Sequence, residues 1–526
     1  MVQAIHFNGW FSRRLGFTRF LLMLILFSAV AQFASFGFIQ AHVISFYGAQ
    51  PEDISFAFQI TYAGIITTLP IQFRLVRYFN TRSYLLTALL VGILLNLGCL
   101  YTHDLVLFSI LRFFIGAITC LVAGCMLISI FSTLPESKRL LVGVSLFFSL
   151  ILTCGVLVGV GASWVVLSTN WTVLYYGLVG LQVMALVGCM CVFKSKPSMK
   201  PYPLFQVDWY GSILMMFGSA ATAFVLIYGP KRYWMADPAI GYATVFAVLM
   251  ISLFLFRQAE LKRPLIQLAA FKSGKFLFAL FLLLLFWGIK DSINLVYGYA
   301  AGVLGWSSSD VVNAGLYNVA GVIIATVIAV KVILSGKQKL PLLLVAGFLV
   351  LCLYHVWVYL ALTPDLSFAD LCIPIFLQGF ACGLLFVPVS VFCIATVPQS
   401  ASITAIVVCT YARFLASLNS IAGYYTLQLN FNQHFKEGFL GKLVPENLIF
   451  FQRHELYKGL LVSKGFATGE ATAISNQLIA KSSAVQSQLL TIRAIFFIGA
   501  VVAAILLVVL LLFAVVNKIK AARVKA

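Results

Sequence analysis

Apolar runs long enough to cross a bilayer recur about fourteen times along this chain, each separated from the next by a short polar break. A helix needs about 20 apolar residues to span the hydrocarbon core, where only helices and closed barrels satisfy every backbone polar group. The pattern predicts an all-α integral membrane protein with about 14 transmembrane helices. The spans fall near 20–45, 54–73, 83–101, 105–131, 140–167, 172–193, 210–229 and 239–256, then 276–304, 311–334, 340–362, 371–397, 403–429 and 491–516. Two connections are long, 257–275 and 430–490. In the second, Ile474, Leu478, Val485, Leu489 and Ile492 recur at helical spacing, which predicts an amphipathic helix running into the last span. That stripe either covers the chain's own outer surface or docks a periplasmic partner.

The polar breaks alternate in charge. Basic clusters sit at Arg13, Arg14 and Arg19; Arg74, Arg77 and Arg82; Lys138 and Arg139; Lys194, Lys196 and Lys200; and Arg257 to Lys275. They continue at Lys337 and Lys339 and in the 517–526 tail. The intervening breaks carry Glu52, Asp53, Asp104, Asp310 or Asp365 and one basic pair, Lys231 and Arg232. Loops rich in Lys and Arg stay on the cytoplasmic side, so both termini are expected in the cytoplasm and the protein in a bacterial inner (plasma) membrane. The first apolar run is too long for a signal-peptide core and is expected to be retained.

Composition narrows the class further. The chain is 62% hydrophobic and only 10% charged, too little polar surface for a soluble globule. Its net charge of +20 is spread from loop to loop, which fits lipid headgroups and not nucleic acid. The eleven cysteines lie inside apolar spans with no CxxC pair, so they read as small packing residues. No phosphate loop, metal-ligand cluster or acid/base set is present. Neither a cofactor nor enzymatic activity is expected.

Charges within spans are costly, and each is a candidate for function. The candidates are drawn from these, namely Arg112 in span 4, Lys290 with Asp291 in span 9, and Arg413 near the middle of span 13. Asp291 is either a proton carrier or half of a charge pair orienting its helix. Adjacent helical residues point about 100° apart, so a Lys290–Asp291 contact does not follow from sequence. Arg112 either relays charge or anchors helices through backbone carbonyls. Gln40, His42, Asn294, Tyr297 and Gln378 add polar groups at membrane depth, and His355 reads as a packing residue. Gly116 in span 4 and Gly155 and Gly159 in span 5 predict close helix approach, either static or as a sliding seam.

Several segments resemble the major facilitator superfamily, specifically its fourteen-helix drug:proton antiporter branch, which includes the pumps of Emr-type tripartite systems. Val207-Asp208-Trp209-Tyr210-Gly211 resembles that branch's Asp-Trp-x-Gly entry to two extra helices. Glu260 with Pro264-Leu265-Ile266-Gln267-Leu268 and Phe271 resembles its Glu…Pro-Leu-Ile-Asp-Leu…Phe segment. Gln378-Gly379, Gly383 and Phe386-Val387-Pro388 fit its span 12, Arg413 its span 13 arginine, and Arg112 with Gly116 its span 4 motif. The chain departs elsewhere. The gating loop, Pro70 to Leu85, keeps Arg82 but places Phe73, Arg77 and Asn80 where the family has glycine, an acid and glycine. Val156 stands where antiporters have Gly-Pro, and span 1 lacks their acid.

The resemblance implies two six-helix bundles, at 1–193 and 276–516, joined by two inserted helices and cytoplasmic linkers at 194–275. The 430–490 loop belongs to the second bundle, and a basic tail occupies 517–526. It implies proton-coupled export of amphipathic or hydrophobic small molecules by alternating access, with Asp291 or His42 carrying the proton. Arg112, Lys290 and Arg413 would relay charge or anchor helices. Gln40, Asn294, Tyr297 and Gln378 would line the substrate cavity, and Arg77 and Arg82 would gate it. The alternatives are uptake of a nutrient or siderophore-like compound, and service as the inner-membrane subunit of a tripartite assembly with a periplasmic adaptor at 430–490.

Overall fold

The computed structural model describes residues 7–35, 37–195, 204–336, 339–398, 401–444 and 446–525, with side chains to Phe513. The basic residues Lys196, Lys200 and Lys337, and the side chains of the 517–526 tail, lie outside the described residues. Every regular element described is helical, and fourteen helices are long and apolar enough to cross a membrane.

The first bundle contains span 1, split into Leu15–Ala34 and Gln40–Tyr47, followed by Pro51–Tyr78, Thr81–Tyr101, Leu105–Ser132, Glu136–Ser168 and Leu174–Val192. Trp209–Tyr228 and Pro238–Glu260 are the inserted spans 7 and 8. The second bundle opens with span 9, split into Gly274–Lys290 and Ile293–Gly302. It continues with Ser308–Ser335, Leu340–Ala361, Phe368–Ala395, Ser402–Leu440 and Thr468–Lys525. Each bundle has its own apolar core, one around Leu22, Tyr175 and Phe193, the other around Phe286, Phe348 and Phe496.

Glycine sets the tightest helix pairs, and it does so in the same place in both bundles. A Cβ on Gly116 of span 4 would lie 1.9 Å from the Thr61 carbonyl oxygen of span 2. One on Gly379 of span 12 would lie 2.1 Å from the Asn318 carbonyl oxygen of span 10. Only glycine allows backbones so close. Gly116 therefore packs inside the first bundle and is no seam between bundles.

The bundles meet along two lines. Span 2 packs on span 13 through Ile60, Tyr62, Ile66, Phe414 and Leu418, with a Gln59–Ser417 hydrogen bond of 3.0 Å. Span 5 packs on span 10, where Val156 lies against Gly315. Span 7 lies beside spans 2 and 13, and span 8 packs mainly on span 7. The Asp208 side chain caps span 7 by accepting from Gly211 N at 2.9 Å. A Cβ on Gly211 would come within 2.1 Å of that carboxylate, which gives the Asp-Trp-x-Gly segment its glycine.

Spans 13 and 14 overshoot any bilayer. Helices of 39 and 58 residues are about 58 and 87 Å long at 1.5 Å per residue, against a hydrocarbon core of about 30 Å. The 430–490 segment is thus mostly helix: the end of span 13, a helix at Leu448–Ser463, and the start of span 14. Ser487 Oγ bonds Asn432 Oδ1 at 2.6 Å and Ser475 Oγ bonds the His454 carbonyl at 3.1 Å, tying the three pieces together.

Candidate functional site

The first span of each bundle breaks at mid-course, and each break is capped from the fourth span of the same bundle. Leu15–Ala34 ends where Arg112 donates to the carbonyls of Gln32 (2.7 Å) and Phe33 (3.4 Å). Gly274–Lys290 ends where Gln378 Nε2 donates to the Lys290 carbonyl at 2.8 Å. Tyr424 adds a bond to the Gly288 carbonyl at 2.7 Å. A broken helix leaves carbonyls that nothing in a bilayer can satisfy, so these buried side chains take their place. Arg112 also puts positive charge at a helix C-terminus, the favourable end for a cation.

Between the breaks lies a cavity of about 690 Å³, lined at depth by Phe33, Tyr62, Trp287, Lys290, Asp291 and Arg413. Its mouth is lined by Glu52, Lys231, Tyr425 and Gln488, on the side from which the 430–490 segment projects. A second chamber of about 530 Å³ adjoins it through Ser55, Phe58, Asn294, Gly298 and Ile421, and adds Phe38, Gln40 and Tyr297. Discontinuous helices in corresponding positions of two repeats, flanking a central cavity, are the arrangement that places a substrate site near the membrane midplane.

Five charged side chains line the main cavity. Lys290 Nζ pairs with Asp291 Oδ1 at 2.8 Å, a contact a continuous helix would not favour. The pair sits where the α-helix ends at Lys290, with Asp291 and Ser292 forming a turn before helix resumes at Ile293. At the mouth Lys231 pairs with Glu52, while Tyr228 donates to Asp53 Oδ1 at 2.6 Å. Arg413 stacks over Trp287 at 4.2 Å and near Tyr62 at 5.6 Å, and makes no ion pair or hydrogen bond among the described residues. Lys290 lies over the same Trp287 ring at 4.6 Å.

The structure thus brings Asp291, Lys290, Arg413 and Asn294 together in one chamber and Gln40, Asn294 and Tyr297 in the adjoining one. Gly155 lines the main cavity, and Gly159 faces the Phe38 ring at the span 1 break. Gln378, Arg112 and His42 stand apart. The first two are buried and hold backbone, and His42 is exposed on Gln40–Tyr47 and lines neither chamber. His355 is buried, and its Nε2 lies 3.2 Å from Ser292 Oγ, beside the span 9 break.

At the opposite end the cavity is floored by aromatics: Phe148 of span 5 meets Phe386 of span 12 at 4.6 Å, and Phe386 meets Trp287 at 5.5 Å. Beyond this floor the two bundles are strapped by the 204–273 linkers. Arg74 donates to the carbonyls of Gln206 (2.9 Å) and Arg263 (3.3 Å), and Gln267 N donates to Thr404 Oγ1 at 3.2 Å. Gln258 Oε1 accepts from Leu265 N, and its amide meets Asp208, which also pairs with Arg257 at 2.7 Å. Arg74 therefore makes the crossing contact of the Pro70–Leu85 segment, while Arg77 is exposed and the Arg82 backbone N donates to Asn80 Oδ1 at 3.3 Å.

Sequence reading passed over Trp287, Tyr62 and Phe33. Glu52 and Lys231 carried a signal, the one as a loop acid and the other as half of the lone basic pair (with Arg232) among the acid-bearing breaks.

Two helical bundles, paired broken helices and a charged central cavity are the architecture of a membrane transporter. Residues 21–418 match the Major Facilitator Superfamily profile, and the chain belongs to that family. It is 23% identical over 219 residues to the multidrug export protein EmrB of Escherichia coli strain K12, covering 40% of this chain and 41% of that protein. It is 20% identical over 240 residues to the probable multidrug resistance protein EmrY of the same strain, covering 44% of each. The matches thus span less than half the length of these curated relatives. Among solved structures, a peptide transporter POT in complex with sulfate superposes with a TM-score of 0.57 at 13% identity, covering 93% of this chain and 94% of that one. A POT family transporter in complex with 5-aminolevulinic acid gives 0.54 at 15%, covering 89% and 96%. These likenesses are of fold.

Proposed function

We propose that this transporter exports amphipathic or hydrophobic small molecules from the cytoplasm in exchange for protons, from an inner membrane with both termini in the cytoplasm. The observation that carries the reading is Asp291, an acid at membrane depth, at a helix break, facing a cavity and paired with Lys290. A coupling group must meet water from one side at a time and change its partner when it takes a proton. Protonating Asp291 releases Lys290 and raises the cavity's positive charge by one. That changes the electrostatic cost of closing the cavity between half-cycles. The cavity opens beside the 430–490 projection and is closed at the aromatic floor, which corresponds to the outward-facing arrangement.

The test is a proton gradient imposed across inverted membrane vesicles, with amphipathic xanthene dyes of either charge as probes. Uptake that appears with the gradient and collapses with an uncoupler is the expected result. Uptake driven in the opposite sense would favour the importer.

The 430–490 projection supports a second component of the proposal, a periplasmic adaptor protein. Its helices expose Leu448, Ile449, Leu456 and Leu460, apolar side chains that a solitary monomer would bury. Removing the 441–467 helix and its turns should abolish co-purification with the adaptor yet leave the fourteen spans inserted. Unchanged co-purification would remove this part of the proposal.

A further inference from the structure

We infer that Arg413 selects amphipathic organic anions, with the anionic group seated between Arg413 and Tyr62 and an aromatic body against Trp287 and Phe33. The inference rests on the proposed transport reading for the cavity's role, and it adds the charge class of what is carried.

The argument begins with the charges. Of the five that line the main cavity, Glu52 and Lys231 form one pair and Asp291 and Lys290 the other. Arg413 is the fifth, and among the described residues its guanidinium has only the faces of Trp287 and Tyr62. The adjoining chamber contributes no acid that balances it. A cation held at membrane depth without an anion is costly. Its planar fork is suited to a carboxylate or sulfonate.

A second observation points the same way. Tyr62 is 5% exposed, lines the cavity, and its hydroxyl has no hydrogen-bond partner among the described residues. Buried hydroxyls are ordinarily satisfied. This one lies beside Arg413 and is free to donate, so an arriving anion meets two donors and displaces neither from another partner. The aromatic walls give the ligand's apolar body its contact area. With a monoanion bound and Asp291 ionised, the five side chains and the ligand sum to zero charge, the state cheapest to occlude in a low-dielectric interior.

Fluorescein and rhodamine 6G share a xanthene core and differ in charge, which makes them suitable probes. Their binding to the purified full chain in nonionic detergent at neutral pH is followed by fluorescence polarisation, with no proton gradient involved. A failure of proton coupling therefore leaves this readout untouched. The wild type should bind fluorescein more tightly than rhodamine 6G. Arg413→Gln should lose about tenfold or more in fluorescein affinity with rhodamine 6G binding retained, which also certifies its fold. Arg413→Lys should fall between. A wild type that prefers rhodamine 6G or binds neither dye overturns the inference. So does an Arg413→Gln variant with unchanged fluorescein affinity, or one that loses both dyes equally.

Discussion

Arg112 is the residue whose two sequence readings the structure separates. In sequence it is either a charge relay or an anchor between helices through backbone carbonyls. Its guanidinium holds the carbonyls of Gln32 and Phe33, in the last turn of the first half of span 1, and it is 1% exposed. Charged hydrogen bonds of this kind contribute about 1.5–3 kcal/mol each. Arg112→Gln should therefore lower the thermal unfolding midpoint in detergent clearly, and Arg112→Lys should recover only part of the loss, because an ammonium lacks the planar fork. An unchanged midpoint would show that the break is held by other contacts. The type and depth of Arg112 were legible in the sequence, since a lone cation amid Leu, Phe and Ile is conspicuous. Which carbonyls it would hold was not, because backbone carbonyls leave no mark on composition. Trp287 and Tyr62 were illegible for the opposite reason: in a chain with 47 Phe, 21 Tyr and 8 Trp no single ring stands out.

At the scale of elements, hydropathy located the spans because it reports the requirement that makes them. It missed the breaks in spans 1 and 9. A window averages across a stop of a few residues, and neither break contains a proline. The Lys290–Asp291 pair lies at the second break, and adjacency in sequence alone did not establish the contact. The reach of span 13 was hidden as well, since outside the bilayer a helix needs no apolar run, whereas the stripe from Ile474 to Ile492 announced the extension that leads into span 14. The strap at 204–273 is likewise a matter of backbone carbonyls, apart from its Asp208, Gly211 and Pro264 signals. Its consequence is testable. Arg74 joins span 2 to both linkers on the closed side, so Arg74→Ala should ease opening there. Cys409, which lines a small chamber below the cavity with Phe386 and Arg413, reports it. Its modification by a thiol reagent applied from the closed side (cytoplasmic in the proposed orientation), followed by peptide mass spectrometry, should accelerate about tenfold or more for the loss of these charged hydrogen bonds. An unchanged rate would make the linkers passive.

For the whole molecule, the bundles are joined along spans 2 and 13 and spans 5 and 10, closed below by Phe148, Phe386 and Trp287, and open above around Glu52 and Lys231. That geometry makes the cavity accessible from one side, with Asp291 lining it; in the proposed cycle rocking would bring Asp291 to the other face. The measurement that tests this account most directly is gradient-driven dye uptake by inverted vesicles bearing Asp291→Asn, beside wild type at matched expression. The neutral, near-isosteric amide keeps the size of the side chain and removes its exchangeable proton. The account predicts that uptake stops responding to the proton gradient, while dye binding to the purified variant persists. Uptake that remains gradient-driven in Asp291→Asn would contradict it and remove Asp291 from the proton path.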